Sequence, residues 1–346
     1  MILRNRQITR DGHPFVMAEI GVNHDGLISV AEALIDAAKL ATADAVKFQL
    51  FDADLLLANS ADLVDYQKAA ADSAPDLLRP LQLSPGQMAP LIARAHAQNL
   101  VAVVTPFSPS LVAAVKDMQA DAIKLASPDL VNLPLLEAAA ATGLPLILST
   151  GAATLDEVER TVGWLIALYA LDRSVLLHCV SAYPTEPDHA SLGAITALRD
   201  AFPELPIGYS DHTVETFTAA LAVTAGACLL EKHLTLDRSR KGPDHAASLE
   251  PAPFAEYTAL AKIGYAMRGA FAKAPQRAEL QIREQTRQSL TTTCDLAAGT
   301  KLTADMLTVK RPGTGIPAAD MKSTLSKTLR RALPKNTTLT HSDLHP

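Results

Sequence analysis

Polar and ionisable side chains stand at the carboxyl ends of a series of short apolar segments. Buried segment ends do not tolerate many charges unless the charges are paired or bind a ligand. Their recurrence therefore predicts a binding or catalytic site assembled from many parts of the chain. The set contains Glu19, Lys47, Gln49, Thr105, Lys124, Ser127, Ser149, Thr150, His178, Ser210, Asp211, His212, Glu231, Lys232 and His233.

The lysines and hydroxyls of this set suit an anionic ligand. Lys47 and Lys124 supply positive charge, and hydroxyls come from Thr105 and the serines. Ammonium groups and hydroxyls that converge bind phosphate and carboxylate. Neither a Gly-x-Gly-x-x-Gly nor a Walker A pattern occurs in the chain, which disfavours a nucleotide cofactor.

Two histidines, His212 and His233, follow the last two apolar segments. Two imidazoles on neighbouring strand ends can share one divalent ion. With only two protein ligands, such a site stays open to water and substrate, as Lewis-acid catalysis requires. The alternative is that each histidine is an ordinary hydrogen-bonded residue at the rim.

The apolar segments alternate with Ala-rich stretches of helical spacing. Parallel strands that are buried on both faces have this continuous apolar character. Eight β/α units in about 230 residues match a TIM (β/α)8 barrel, whose active site lies at the carboxyl ends of its strands. A doubly wound sheet is the alternative. The predicted strands are 15–20, 43–48, 100–105, 121–126, 145–149, 175–179, 206–209 and 227–231.

Capping residues mark several helix boundaries. Ser84, followed by a proline, and Thr154, followed three positions later by a glutamate, are typical helix starts. Thr213 is a further predicted start. Asn99 and Gly143 are typical helix ends.

The β/α pattern predicts a catalytic domain over residues 1–272. The polar interval 51–84 interrupts it and is interpreted as a loop insertion above the second strand, with a lid as one interpretation. A polar linker follows at 273–285, and a small domain is predicted at 286–346. At about 60 residues a core is marginal, so packing against the barrel or a second subunit is expected.

The small domain contains an internal repeat. The segment 296–307 matches 333–344 in the frame L-x-x-[GN]-T-x-L-T-x-x-x-L. Gly299 and Asn336 occupy equivalent points, where a turn with positive φ suits either residue. The repeat predicts a pseudo-symmetric fold.

Composition and charge exclude several classes of protein. The net charge of −6, from 31 basic and 37 acidic residues, argues against nucleic acid or an anionic membrane as partner. The three cysteines are scattered without a CxxC motif, which predicts reduced thiols, and we interpret Cys179 and Cys228 as core residues. The first residues, 1–6, lack the apolar region of a signal peptide, so we expect none. The longest apolar stretch falls short of the roughly 20 residues of a spanning helix. We therefore expect a cytoplasmic protein.

Motifs along the chain resemble those of the sialic acid synthase family. They occur in the family's order and span the barrel, and the segment beginning at Arg311 resembles that family's antifreeze-like (SAF) domain. The motifs are 18–24 (AEIGVNH), 46–49 (VKFQ), 105–107 (TPF), 149–151 (STG), 177–179 (LHC), 208–213 (GYSDHT), 231–233 (EKH), 242–245 (GPDH) and 311–316 (RPGTGI).

The resemblance implies a TIM barrel with a C-terminal SAF domain. It implies metal-dependent condensation of phosphoenolpyruvate with an N-acyl mannosamine-type sugar, which yields a nine-carbon 2-keto acid and phosphate. N-acetylneuraminate is the simplest product. A diacetamido-trideoxy sugar yielding legionaminic or pseudaminic acid is the alternative, and a catalytically silent sugar-phosphate binding homologue is a further one.

Residue roles follow from the same resemblance. His212 and His233 would hold Mn²⁺ or Mg²⁺, and Glu19 joins them and the two lysines as a catalytic residue. Arg311 would reach the partner's active site in a domain-swapped homodimer. Phosphoenolpyruvate contacts are implied for Lys47, Thr105, Lys124, Ser127, Ser149, Ser181 and Ser210, and sugar contacts for Glu19, Gln49, Tyr183, Asp244 and Arg311.

A few positions depart from the family pattern. Asp25 stands where the family often has Asn, and Pro128-Asp129 stands where Gly-Glu is common. A shorter carboxylate at Asp129 shifts its charge by one methylene. These departures predict that the chemistry is kept while the preferred sugar differs.

Overall fold

The computed structural model describes residues 1–58 and 73–345, and its first compact unit, residues 1–269, is a closed barrel of eight parallel strands. The TIM-barrel prediction is confirmed, and each strand lies within two residues of its predicted bounds. The strands are β1 (Phe15–Glu19), β2 (Ala45–Leu50), β3 (Val101–Pro106), β4 (Ala122–Leu125), β5 (Leu146–Ser149), β6 (Ser174–Cys179), β7 (Ile207–Asp211) and β8 (Leu229–His233).

A helix follows each strand and covers the outside of the barrel. The helices are α1 (Ile28–Leu40), α2 (Pro85–Ala97), α3 (Val112–Asp117), α4 (Leu133–Ala141), α5 (Leu155–Ala167), α6 (Gly193–Ala201), α7 (Thr218–Ala225) and α8 (Pro251–Arg268). Short helices at Ala53–Leu56 and Ala74–Leu78 lie in the predicted insertion, of which residues 59–72 are outside the described part of the chain.

The predicted helix boundaries are largely confirmed. Ser84 and Thr154 each form a capping box with the residue three positions on. Asn99 and Gly143 both adopt positive φ, at 60° and 76°. Thr213 was predicted to start a helix, but α7 begins at Thr218, because the polar atoms of Thr213 bond instead to side chains of the neighbouring strands.

Alternation along each strand divides the barrel interior into two zones. Towards the amino ends the inward side chains are apolar, and Leu3 and Ile8 of an N-terminal hairpin close this end. Towards the carboxyl ends the inward positions are polar on seven of the eight strands, and on β6 the inward residue is Cys179. Aliphatic packing between strands and helices forms the larger core. The polar zone therefore sits on a rigid apolar base, at the end where TIM barrels place their active sites.

The second compact unit comprises residues 270–346. A short helix, Leu280–Thr286, lies within the predicted linker, and two antiparallel strands, β9 (Ser289–Thr292) and β10 (Leu307–Lys310), belong to the predicted small domain. The two repeats pair through Leu296 and Leu333, whose backbones exchange hydrogen bonds of 2.8 and 2.9 Å. Gly299 and Asn336 both have positive φ, 82° and 64°, as the repeat predicted.

Within the described residues, no helix combines the length and apolar character needed to cross a membrane.

Candidate active site

A cavity of about 290 Å³ opens at the carboxyl ends of the barrel strands. Its floor is made of inward strand side chains, and its upper walls come from the loops after β1, β2, β3, β4, β6 and β8. It brings together ten of the predicted site residues: Lys47, Gln49, Lys124, Ser127, Ser149, Tyr183, Ser210, His212, His233 and Asp244.

A buried cluster of two lysines and two glutamates occupies the cavity floor. Lys47 forms ion pairs with Glu19 and, at 2.9 Å, with Glu231 Oε1. Lys124 Nζ lies 3.4 Å from Glu231 Oε2. Both lysines therefore face the cavity with their charge already balanced by carboxylates, and Glu231 connects the two.

Burial and pairing shift the pKa values within this cluster. Burial lowers the pKa of Lys47 to about 8, an effect that the Glu231 carboxylate only partly offsets. Burial alone would raise the pKa of Glu231, but Lys124 and Lys47 together hold it well below its usual range. Glu231 therefore stays ionised near neutral pH.

Unsatisfied polar atoms converge on the same cavity. Among the described residues, three buried atoms at this cavity have no hydrogen-bond partner: Ser149 Oγ, Glu231 Oε2 and His233 Nδ1. Glu231 Oε2 has instead an ion-pair contact with Lys124. Buried polar groups in folded proteins almost always find a partner, so such orphans mark the place of a ligand or ordered water. Here they surround one space.

Gly151 shapes one side of the floor. Its amide donates to Ser127 Oγ at 3.0 Å. A Cβ on this residue would stand 2.4 Å from Ser181 Oγ and 2.6 Å from Ser127 Oγ. A glycine is therefore required for the Ser149-Thr150-Gly151 turn to approach these hydroxyls.

His212 and His233 lie side by side in the cavity, with ring centroids 5.3 Å apart. His212 Nδ1 lies 2.7 Å from the Val180 carbonyl. A carbonyl only accepts, so Nδ1 carries a proton, and in the neutral ring Nε2 keeps its lone pair. Burial acts to lower the His212 pKa, but Cys179 and the Val180 carbonyl outweigh it and raise this pKa above its ordinary value. Burial, with the nearby His212 and Lys47, lowers the pKa of His233 well below its ordinary value, which leaves that ring neutral.

These two rings fit the metal site that the sequence predicted. Neutral imidazoles with available lone pairs are metal ligands, and a backbone carbonyl that fixes one tautomer is a usual supporting contact. Within the described residues, no His, Cys, Asp or Glu forms a metal-binding group of three with them. An ion held here would therefore have only these two imidazoles as protein ligands among the described residues.

Asp244 and Tyr183 stand beside the histidine pair. Asp244 Oδ2 lies 3.5 Å from His233 Nδ1, and burial raises the Asp244 pKa to about 6. The ring of Tyr183 lies 4.0 Å from that of His212.

Two loops that carry cavity residues are held together from behind. Asn23 Nδ2 donates to Ser248 Oγ at 2.8 Å, and His245 Nε2 lies 3.0 Å from Asp25 Oδ1. Asp25, one of the departures from the family pattern, also pairs with Arg240 at 2.8 Å. These contacts fix the loop that presents Asp244.

The other predicted residues lie outside the cavity lining. Glu19 is fully buried beneath Lys47, and Thr105 accepts a 3.3 Å hydrogen bond from Lys47 Nζ. Ser181 is exposed beside Gly151. Arg311 is an exposed residue of the second unit. Asp129 bonds to Asn132 at 2.9 Å, while its neighbour Pro128 lines the cavity.

The structure corrects one sequence interpretation and adds one residue. Cys179, interpreted as core, faces the cavity, and His178 faces outward, where it bonds the Ala190 carbonyl at 3.0 Å. Glu231 was noted only as polar at a strand end, without a role. The available signal was its position two residues before a candidate ligand histidine, which places both side chains on the same face of the strand.

A TIM barrel with lysines, serines and paired histidines at its carboxyl end defines a class of barrel enzymes that act on small anionic substrates. Comparison with known proteins identifies the family within this class. The chain belongs to the NeuB family, whose model matches residues 34–271, and a SAF domain model matches residues 287–345. It is thus a member of the family of sialic and related nonulosonic acid synthases.

Relatives cover nearly the whole chain. The N,N'-diacetyllegionaminic acid synthase of Legionella pneumophila is 36% identical over 94% of this chain and 93% of its own length. The N-acetylneuraminate-9-phosphate synthase of Mus musculus is 33% identical over 86% of this chain and 83% of its own. The crystal structure of an N-acetylneuraminic acid synthetase from Leptospira borgpetersenii superposes with a TM-score of 0.75 at 33% identity, covering 82% of this chain and 94% of that one.

Proposed function

We propose that this protein condenses phosphoenolpyruvate with the open-chain form of an N-acylated mannosamine-type sugar, releasing phosphate and a nine-carbon 2-keto acid. One observation carries the proposal. Lys47, Lys124, the cavity serines and the histidine pair meet in a single cavity at the carboxyl end of the barrel. The names of the relatives support the same reaction class.

In this proposal the lysine side of the floor binds phosphoenolpyruvate. Lys47 and Lys124 supply the charge for phosphate and carboxylate, and Ser149 Oγ, which has no partner within the described residues, supplies a hydrogen bond. Ser127, Ser210 and Thr105 complete the predicted set. The ionised Glu231 lies between the lysines, where it stabilises positive charge that develops at C2 of the substrate.

The aldehyde of the sugar lies on the histidine side. His212 and His233 would hold Mn²⁺ or Mg²⁺, with the remaining positions open to oxygen ligands. When bound, the ion polarises the aldehyde. Tyr183, Gln49 and Asp244 line the adjacent space and suit sugar hydroxyls.

The proposed reaction forms one carbon–carbon bond and breaks the C2–O bond to phosphate. The C2–C3 π electrons of phosphoenolpyruvate form a bond to the aldehyde carbon, and the aldehyde oxygen takes a proton. Water adds at C2 and loses one proton, which balances the proton taken up by the aldehyde oxygen. The new C2 hydroxyl then loses its second proton to the departing phosphate as the C2–O bond to phosphate breaks and leaves the ketone. The chain binds and aligns both substrates, which supplies much of the rate acceleration for a two-substrate reaction.

We also propose that the functional unit is a homodimer in which Arg311 of one subunit serves the active site of the other. Charge asymmetry along the chain supports this. Residues 1–269 carry 19 basic and 31 acidic residues, whereas residues 270–346 carry 12 basic and six acidic. Opposite net charges favour docking of the second unit of one copy against the barrel of another.

An apolar wall of the cavity favours the deoxy-sugar alternative over N-acetylmannosamine. Val22, Phe51, Leu78 and Phe107 line it and belong to one apolar cluster. The Phe51 and Phe107 rings pack edge to face at 6.1 Å. A sugar hydroxyl against this surface would lose its hydrogen bonds to water, whereas a methyl group would be stabilised.

The preference of the apolar wall for a deoxy sugar can be tested with two sugars that differ by one oxygen atom. We expect kcat/KM with 6-deoxy-N-acetylmannosamine to exceed that with N-acetylmannosamine by about tenfold, as for one buried hydroxyl without a partner. Phe107→Tyr should reduce this ratio, while Phe217→Tyr, at an exposed position, should not. Equal kcat/KM values would instead favour N-acetylneuraminate as the product.

A further inference from the structure

Behind the cavity, a second ion pair joins β7 and β8. Asp211 and Lys232 are directly opposite in the strand register, and Lys232 Nζ lies 3.1 Å from Asp211 Oδ2. Both side chains are fully buried, with 0% exposure. Neither lines the cavity, because alternation turns them to the outer face of the barrel.

Each member of this pair immediately precedes one of the cavity histidines. Asp211 comes before His212 and Lys232 before His233. The strand residues that carry the two imidazoles inward are therefore tied together from behind, by one contact between the two strands.

The Asp211–Lys232 pair also forms hydrogen bonds to Thr213, the residue that follows His212. Asp211 Oδ1 accepts from the Thr213 amide at 2.9 Å and from Thr213 Oγ1 at 2.8 Å. Lys232 Nζ donates to the Thr213 carbonyl and, at 3.3 Å, to Thr213 Oγ1. All three polar atoms of Thr213 are thus occupied, which fixes the peptide groups on both sides of Thr213, the first of which joins it to His212.

Further contacts make the network rigid. Thr218 Oγ1 at the start of α7 donates to Asp211 Oδ2 at 2.6 Å, and Lys232 Nζ lies 5.3 Å from the ring centre of Tyr257 on α8. A fully buried ion pair is expensive to desolvate, and apolar residues of similar volume often stabilise a fold as well or better. Its presence here therefore calls for a role other than stability.

We propose that Asp211 and Lys232 are positioning residues that hold His212 and His233 at the spacing and ring orientation needed to bind one divalent ion. This rests on the proposed function, because the ion itself belongs to that proposal. Supporting residues behind metal ligands typically change metal affinity by 10- to 100-fold when they are replaced.

The test compares a double variant with the wild-type full-length protein. Asp211→Leu/Lys232→Met removes both charges together, so neither is left buried without its counter-charge. It also removes the partners of the Thr213 and Thr218 polar groups, so we expect it to fold with a lowered melting temperature. Titration with MnCl₂ alone should show binding 10- to 100-fold weaker. Arg331→Met, which breaks a 2.6 Å ion pair to the buried Asp343 in the second unit, is the control and should leave Mn²⁺ affinity unchanged.

A second readout does not depend on metal. In the metal-free protein, the imidazole nitrogen NMR signals of His212 should report one tautomer protonated at Nδ1, and the double variant should lose this preference. If wild-type protein fails to bind Mn²⁺, the proposed metal site is wrong, and these signals alone decide whether the pair positions the rings. Wild-type Mn²⁺ affinity and wild-type imidazole signals in the folded double variant would overturn the inference.

A milder variant covers the case in which the double variant does not fold. Thr213→Val keeps the shape of the side chain and removes only the Oγ1 contacts, which are to Asp211, Lys232 and Thr218. We expect Mn²⁺ binding to weaken several-fold and the His212 signals to broaden. Unchanged affinity and signals in Thr213→Val would likewise contradict the positioning role.

Discussion

The Nζ of Lys47 lies 2.9 Å from Oε1 of Glu231, across the interior of the barrel mouth and between strands that are distant in sequence. Through this contact the Lys47 ammonium group faces the cavity with a carboxylate already beside it. Both groups are almost fully buried. Removing either one leaves the other without its counter-charge in a low-dielectric site.

We expect Lys47→Met to cost both stability and activity. It leaves the Glu19 and Glu231 carboxylates without their shared ammonium, at a cost of about 3–5 kcal/mol in the free energy of unfolding. Lys47→Met/Glu19→Gln should recover part of the stability but none of the phosphate release. Urea unfolding and phosphate assays check both, with the exposed Lys39→Met as control. Full activity in the double variant would exclude Lys47 from substrate binding.

The pH dependence of kcat/KM for phosphoenolpyruvate should report Lys47. Burial lowers the Lys47 pKa to about 8. The charged groups that surround its ammonium are Glu19, Glu231, Lys124 and Asp244. The lysine is charged below that pH and neutral above it, so kcat/KM should fall as the pH rises through about 8. Lys47→Arg, whose guanidinium stays charged, should be less active and should lack this alkaline limb. An unchanged limb in Lys47→Arg would assign it to another group.

Metal removal should abolish turnover, and only wild-type protein should recover it. After chelation, Mn²⁺ should restore phosphate release to the wild type but not to His212→Ala or His233→Ala, because each lacks one of two ligands. His189→Ala, at an exposed histidine, is the control and should recover fully. Full activity in either cavity variant would rule out a two-histidine metal site.

Subunit complementation tests Arg311. Arg311→Ala and His212→Ala should each be nearly inactive alone. If Arg311 acts on the partner's barrel, a heterodimer contains one intact site, and random mixing of equal amounts should restore roughly a quarter of wild-type activity. Arg330→Ala, another exposed arginine of the second unit, should retain full activity alone. No recovery after mixing would place Arg311 in its own subunit's site or outside any site.

Truncation after Glu284 complements the mixing experiment. It removes the residues that match the SAF domain model together with Arg311. We expect it to cripple condensation, and the measurement is phosphate release by the shortened chain. Undiminished turnover would show that the second unit acts independently of the barrel's chemistry.

Most of the barrel could be predicted from sequence, because buried parallel strands produce apolar runs that end in polar residues. Lys47, Lys124, His212 and His233 were found in this way. The order of strands around a closed barrel then brings the polar ends to one mouth without further information.

The details of the site could not be predicted in the same way. Successive side chains of a strand point alternately into the barrel and towards the helices, and the sequence does not show which of His178 and Cys179 points inward. Both residue types occur on either face. The Lys47–Glu231 contact joins residues far apart in sequence and depends on side-chain reach across the barrel. Ser181 lies in a loop, and the periodicity of strands does not predict where a loop side chain points.

The most direct test of the proposed function is the product itself. Purified protein with Mn²⁺ and phosphoenolpyruvate is offered N-acetylmannosamine or a 2,4-diacetamido-2,4,6-trideoxy mannose-type sugar, and the products are identified by mass spectrometry alongside phosphate release. We predict a nine-carbon 2-keto acid formed in equal amount with phosphate, and faster reaction with the deoxy sugar. Absence of phosphate release and of any condensation product with both sugars would contradict the account.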